Sequence, residues 1–400
     1  MSENLARHFL LREDVVFLNH GSYGACPRPV FEAYQRWQLE LERQPVAFFD
    51  PARGATARMR DTRVALAAEL GTDPDNIVGQ TNATAALNLV ARSLELKPGD
   101  QILTTDHEYS ALEKTWAFIV RQTGAEVVTV EIPLPLVSEA EFTETVVAGF
   151  TDRTRVLYLS HITSPTALLF PIERAVAAAR ERGIYTVIDG AHTPGHLPLR
   201  LDALGADFYA GNCHKWLMSP KGSAFLYVRP ELQKLIDPLV VSHGWTADNK
   251  VPGVTGPFGN TPFVDQLEMQ GTRDPAAWLT VPAALAFRRD HDWAEVARRC
   301  QALAQETARR LAARTDLAPL SSPEFCAPQL VAMPIPDCDT LAVHRALMEK
   351  YSIEMPVFKW RNRAIARLSV QGYNSPAQMD LLLDALTELL DLEMKATLMA

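Results

Sequence analysis

Residues 184–216 read IYTVIDGAHTPGHLPLRLDALGADFYAGNCHKW, and the fold is decided here. Ile184 to Asp189 is an apolar, β-branched run of strand length, closed by Asp189-Gly190-Ala191-His192. Ala206 to Ala210, with Phe208 and Tyr209 at its centre, reads as a second strand, closed by Gly211-Asn212-Cys213-His214-Lys215-Trp216. Runs this short and this apolar predict strands buried on both faces. In open α/β sheets the loops after parallel strands are where ligands bind.

The same alternation extends outward from about Asp75 to Val228. Asn82 opens a helical stretch in which Leu87, Val90, Ala91 and Leu94 recur at helical spacing, ended by the turn Lys97-Pro98-Gly99-Asp100. Gln101 to Thr105 predicts a strand, and Ser110 caps the next helix. Val127 to Val130 and Arg155 to Ser160 predict further buried strands. Pro171 falls at a helix N1 position, the helix Ile172 to Arg182 stops at Gly183, and Ala224 to Val228 predicts a last strand. Strands alternating with helices mean βαβ units and a mostly parallel sheet.

Past Pro230 the regularity breaks. Ser242 to Pro262, rich in Gly, Pro, Asn and aromatic residues, predicts a long functional loop. Ala276 to Arg314 predicts long helices, Gln329 to Met333 and Ala364 to Val370 strands, and Ala377 to Leu390 a final helix. The expected organisation is a large α/β domain over 20–275 and a smaller α+β domain over 276–400, to which residues 1–19 are added.

Composition excludes several function classes. The 400 residues are 47% hydrophobic and 22% charged, ordinary for a globular chain with room for two cores. A net charge of -9 without a basic stripe argues against nucleic acid and anionic membranes as partners. The five cysteines are scattered, with no C-x-x-C pair, so neither a disulfide framework nor a metal site is expected. There is no signal-type core at the N-terminus and no run of the ~20 apolar residues that span a bilayer. A cytoplasmic location is the expectation.

Four features carry chemistry. Asp189, at the end of a buried strand, is a carboxylate partly removed from water, although Asp also caps turns at such places. Lys215, just past the next strand, is a candidate Schiff-base amine if desolvated, although a lone lysine there is more often solvated. Together they supply an acid for a pyridine nitrogen and an amine for an aldehyde. Thr81-Asn82-Ala83-Thr84 opens a helix whose N-terminus offers N–H groups to a phosphate, or is an ordinary cap. Arg367, in a strand-like Arg-Leu-Ser, has the planar fork that pairs with a carboxylate, or is a surface arginine.

Asp189-Gly190-Ala191-His192 followed by Gly211-Asn212-Cys213-His214-Lys215-Trp216 resembles the aminotransferase class V group of fold type I pyridoxal-phosphate enzymes. Similarity runs from Phe17-Leu18-Asn19 to Arg367 through Asn374. The stretches Thr81 to Val90 and Gly271-Thr272-Arg273-Asp274 are most similar to the isopenicillin N epimerase-like branch. The resemblance implies pyridoxal 5'-phosphate bound to Lys215, with Asp189 at the pyridine nitrogen and His192 beside it. It implies His107 stacked on the ring, and Ala83, Thr84, Asn212 and His214 on the phosphate. Thr272 would reach the phosphate of a neighbouring subunit, giving a homodimer with shared active sites. Arg367 would clamp the carboxylate of an amino acid substrate. Two departures stand out. Tyr351 to Arg363 lacks the nucleophilic cysteine of cysteine desulfurases, and Ser164 replaces an asparagine that faces the cofactor's phenolic oxygen in many members.

The expected chemistry is removal of the α-proton of a bound amino acid with Lys215 as base. Reprotonation on the opposite face gives epimerisation or racemisation. A leaving group on the side chain gives C–S cleavage, and transamination is a third outcome. A regulatory or silent cofactor-binding module is disfavoured, because lysine and acid are both present and no further DNA-binding segment is read.

Overall fold

A computed structural model describes residues 5–251 and 253–392; the start of the expected 1–19 segment, the end of the expected domain over 276–400 and residue 252 of the expected loop lie outside the described residues. Seven strands form the central sheet: β1 (Ile77–Gln80), β2 (Gln101–Thr105), β3 (Glu126–Val130), β4 (Thr154–Ser160), β5 (Tyr185–Asp189), β6 (Phe208–Asn212) and β7 (Ala224–Val228). Their order is β1-β7-β6-β5-β4-β2-β3. Only β7 runs against its neighbours; β6, β5, β4, β2 and β3 pair in parallel. The protein is therefore α/β with a mostly parallel sheet.

Residue parity explains the two covered faces. Val156, Tyr158, Val187 and Phe208 pack with Leu87, Val90, Leu112 and Trp116 of the helices Ala83–Ser93 and Ser110–Thr123. The alternate residues Leu157, Leu159, Ile188 and Tyr209 pack on the other side with Leu66, Phe142, Phe170 and Val176. Successive side chains of a strand point to opposite faces, so a strand covered on both must be apolar throughout. The edge strand β3 departs from the expectation of burial, with Val127 40% exposed. An edge strand has a neighbour on one side only, and its charged Glu126 suits an unpaired edge.

A second sheet is antiparallel and three-stranded, β8 (Leu330–Ile335), β9 (Val357–Trp360) and β10 (Arg363–Ser369), in the order β9-β10-β8. Val331, Met333, Ala366 and Leu368 pack there with the helices Trp293–Thr315, Thr340–Tyr351 and Pro376–Leu389. Leu5, Phe9 and Leu18 join this core, and Val16–Phe17 pairs in parallel with Ile353–Glu354.

Several boundaries move from their expected places. Ser110 is the first residue of its helix and Tyr109 the cap. Glu173–Glu181 is capped by Ile172, so Pro171 precedes the cap instead of sitting at N1. The helical stretch from Ala276 breaks at Thr280 and again at Asp292, whose φ is 43°. No described helix is long and apolar enough to cross a membrane.

Candidate active site

Register levels three strand ends. Ser160 of β4 pairs with Asp189 of β5, and Asp189 with Ala210 of β6. The loops that follow therefore open at one rim of the sheet, where a cleft of about 670 Å³ lies. Ser160, Asp189, His192, Asn212, His214 and Lys215 line it, joined by Ala83 and Thr84 from the helix after β1. Ser22, Tyr23, Ser164 and Arg367 line it as well.

Asp189 is buried. Its Oδ1 accepts from the Ala191 N–H at 2.9 Å and its Oδ2 from the Tyr158 hydroxyl at 3.3 Å. Burial pushes its pKa up, while the Ala191 N–H and the charge on Lys215 pull it down. Gly190 is required beside it, because a Cβ there would lie 2.1 Å from the Tyr209 ring. Lys215 is half-buried in the wall of the cleft, and desolvation with the nearby Arg367 charge lowers its pKa to about 7. That shift makes a substantial fraction of the amine neutral near pH 7. Its Nζ lies 3.0 Å from His192 Nε2, and the Trp216 indole donates to His192 Nδ1 at 3.3 Å. The backbone of Lys215 is braced from outside: Gly24 has φ 71°, and a Cβ there would fall 1.9 Å from the His214 carbonyl. Only glycine fits this approach.

At the other end of the cleft, the helix Ala83–Ser93 presents its N-terminus. Asn82 caps it, Oδ1 accepting from Ala85 N–H at 2.8 Å, and Ala86 N–H reaches the Asn82 carbonyl. Ala83 N–H donates to Asn212 Oδ1 at 2.8 Å. Of the first four N–H groups, Thr84's is the one left over for an anion. Ala83 and Asn212 thus spend part of their capacity on each other. Lys221, outside the expected site residues, also lines the cleft; its Nζ donates to Gly24 O at 2.9 Å, and no carboxylate lies within 4 Å among the described residues.

Arg367 reaches the cleft from β10. Nη1 donates to the Ser164 carbonyl at 2.6 Å and Nη2 to Ser22 Oγ at 2.9 Å, while Nε has no partner. No carboxylate lies within 4 Å of this buried guanidinium among the described residues, and burial lowers its pKa to about 10. Ser164 Oγ lies 3.3 Å from Nη1, so Ser164 bridges the first sheet to Arg367.

Two predicted residues lie away from the cleft. His107 is wholly buried behind it, its Nδ1 2.7 Å from Thr166 Oγ1 and its ring 4.5 Å from that of Trp360. Two residues on, the aromatic side chain of Tyr109 does line the cleft. Thr272 is exposed and is not part of this lining. Glu108 was also missed. It is buried beneath Ser160, accepts from Thr105 Oγ1, Ser160 N and Ser160 Oγ at 2.7, 2.9 and 2.6 Å, and burial raises its pKa to about 8. The signal for Tyr109 was present in the sequence, because the strand-end motif Asp106-His107-Glu108-Tyr109 holds two rings and one turn decides which faces out. No sequence signal marks Glu108 as buried.

These features fit a ligand carrying a phosphate, an aldehyde and a ring nitrogen: Thr84 and Lys221 at one end, Lys215 in the middle and buried Asp189 beside it. The family model described as aminotransferase class-V matches residues 17–382. The isopenicillin N epimerase of Streptomyces clavuligerus is 36% identical over 97% of this chain and 98% of its own length. An L-cysteine desulfhydrase of Arabidopsis thaliana is 28% identical over 94% of this chain and 88% of its own. Among solved structures, an apo cysteine desulfurase from Thermococcus onnurineus NA1 superposes with a TM-score of 0.81 over 98% of this chain and all of that one, at 20% identity.

Proposed function

Because the chain belongs to the aminotransferase class-V family, whose cofactor is pyridoxal 5'-phosphate, we propose that it removes the α-proton of an amino acid and that a solvent-derived proton adds to the opposite face, with inversion. When bound, the cofactor's protonated pyridine ring accepts the electron pair left by that proton. Lys215 Nζ carries the cofactor and serves as the base. Asp189 keeps the ring nitrogen protonated, and Thr84, His214 and Lys221 hold the phosphate. Arg367 orients the substrate carboxylate.

The observation that carries this reading is the buried guanidinium of Arg367, with no carboxylate within 4 Å among the described residues, in the same cleft as Lys215 and Asp189. A buried charge lacking its counter-ion is costly unless a ligand supplies one. An amino acid does. Identity of 36% to an epimerase against 28% to a cysteine desulfhydrase favours inversion. None of the five cysteines lines the cleft, which removes the thiolate needed to accept sulfur as a persulfide. Elimination of sulfide with release of pyruvate needs no such thiolate, and the desulfhydrase relative supports it as the second reading. Exposed Thr272, absent from its own cleft, is consistent with a contribution to that of a second copy in a homodimer.

Incubation of the loaded enzyme with L- and D-amino acids in deuterated water tests the reading. The expected result is α-deuteration with interconversion of one enantiomeric or epimeric pair. Pyruvate and sulfide release would replace it by the lyase reading, and keto acid formation by transamination.

A further inference from the structure

We propose that Trp216 is a positioning residue that locks His192 as its Nε2–H tautomer, so that His192 donates to Lys215 and holds the amine in its neutral form. The inference rests on Lys215 being the lysine that bears the cofactor. An indole nitrogen can only donate. Trp216 Nε1 points at His192 Nδ1 at 3.3 Å, so Nδ1 must be the accepting nitrogen. His192 is buried among Lys215, Arg367, His196 and His214, and burial first of all, with the Arg367 charge, holds it neutral, its pKa well below the ordinary value. A neutral imidazole has one proton, which therefore sits on Nε2. Nε2 lies 3.0 Å from Lys215 Nζ. A donor on that line needs a lone pair opposite it. A neutral amine has one and an ammonium has none.

The surroundings hold this arrangement. Trp216 stacks on His196 with ring centroids 4.0 Å apart and planes 17° from parallel, and lies against His20 at 5.0 Å. His196 accepts from Gln329 N–H at Nε2, 2.8 Å, and so donates from Nδ1 to the His192 carbonyl at 3.0 Å. It cannot offer His192 another partner. Of the charged groups facing Lys215, Asp189 favours the ammonium and Arg367 opposes it. Protonating Lys215 then requires His192 to move its own proton to Nδ1 and give up the Trp216 bond. The neutral amine is the form that adds to the cofactor aldehyde, with a C=N bond formed and one water released, and the form that accepts a substrate proton.

Two measurements on the full chain after cofactor removal test this. Nitrogen NMR of labelled histidine should find His192 protonated at Nε2, and protonation at Nδ1 would overturn the proposal. The pH dependence of pyridoxal phosphate capture, followed by visible absorbance, should have its midpoint near 7 in the natural chain. Trp216→Phe keeps a stacked ring but removes the donor, and should raise the midpoint by about one pH unit, a tenfold loss of neutral amine at fixed pH. His192→Gln can accept from Trp216 and donate to Lys215, and should keep the low midpoint, whereas His192→Leu should not. An unmoved midpoint in both Trp216→Phe and His192→Leu would leave Trp216 a packing residue only. If Trp216→Phe does not fold, the NMR result and the Gln/Leu pair decide. Cofactor capture by a different lysine would instead overturn the assignment of Lys215, while the tautomer remains measurable.

Discussion

Arg367→Met keeps the aliphatic stem and deletes the charge. Two effects of opposite sign follow from the structure. Arg367 is 7% exposed, has no carboxylate within 4 Å among the described residues, and burial lowers its pKa to about 10, so its charge is uncompensated there. Replacing a buried charge by an apolar group of similar volume is often neutral or stabilising. The loss of the bonds to Ser164 O and Ser22 Oγ opposes this by about 1 kcal/mol each, and both acceptors border the cleft, where water can replace the donor. The melting temperature of the free variant should therefore stay level or rise. Binding should move the other way. Removing one partner of a buried charge pair costs about 2–5 kcal/mol, or about 30-fold to a few thousand-fold in affinity. The assay compares an amino acid with its carboxamide by the change in cofactor absorbance on titration. The natural protein should prefer the acid, and the variant should lose that preference with its cofactor retained. A variant that melts lower and still prefers the acid would make Arg367 a tie between the two sheets, and the clamp would be wrong.

Asp189→Asn should retain the cofactor and lose ~2–4 kcal/mol of rate stabilisation in α-deuterium exchange, because an amide cannot hold a ring nitrogen protonated; near-normal exchange would reduce Asp189 to a turn cap on Ala191. Lys221→Met should speed cofactor loss about 10- to 100-fold, as expected for removing a charged donor from a phosphate; an unchanged dissociation rate would leave Lys221 bound to the Gly24 carbonyl alone. Glu108→Gln tests a buried acid. Its folded pKa is raised to about 8 from an ordinary 4.5, so the folded state keeps a proton that the unfolded chain releases in between. Stability of the natural protein should fall as pH rises across that window, and the Gln variant should lack this slope in denaturant titrations. Parallel stability curves would refute it.

The parallel sheet was legible because each of its inner strands is apolar at both parities, which only a strand covered on two faces requires. Asp189 and Lys215 were legible as a pair because they end neighbouring strands, and register brings such ends together. Local patterns do not report what lies across the sheet. Val127 and Val156 read alike, yet one is on an open edge and the other has a strand on each side. The orientation of the turn after β2 likewise decides that His107 faces Trp360 while Tyr109 faces the cleft, and both neighbours are distant in sequence. Arg361 illustrates the same limit. It turns the corner between β9 and β10 and pairs with buried Asp106 and with Glu131 at 3.6 Å, tying to the first sheet the hairpin that carries Arg367. Nothing within the local sequence announces a partner so far along the chain.

The central claim is that Lys215 holds the cofactor, and the cleft supplies a built-in rival in Lys221. Reduction of the loaded enzyme with borohydride makes the linkage permanent, and peptide mapping by mass spectrometry then locates it. The account predicts a phosphopyridoxyl group on Lys215 and its loss, with the visible absorbance, in Lys215→Ala. A label on Lys221, or on any lysine outside the cleft, would contradict it.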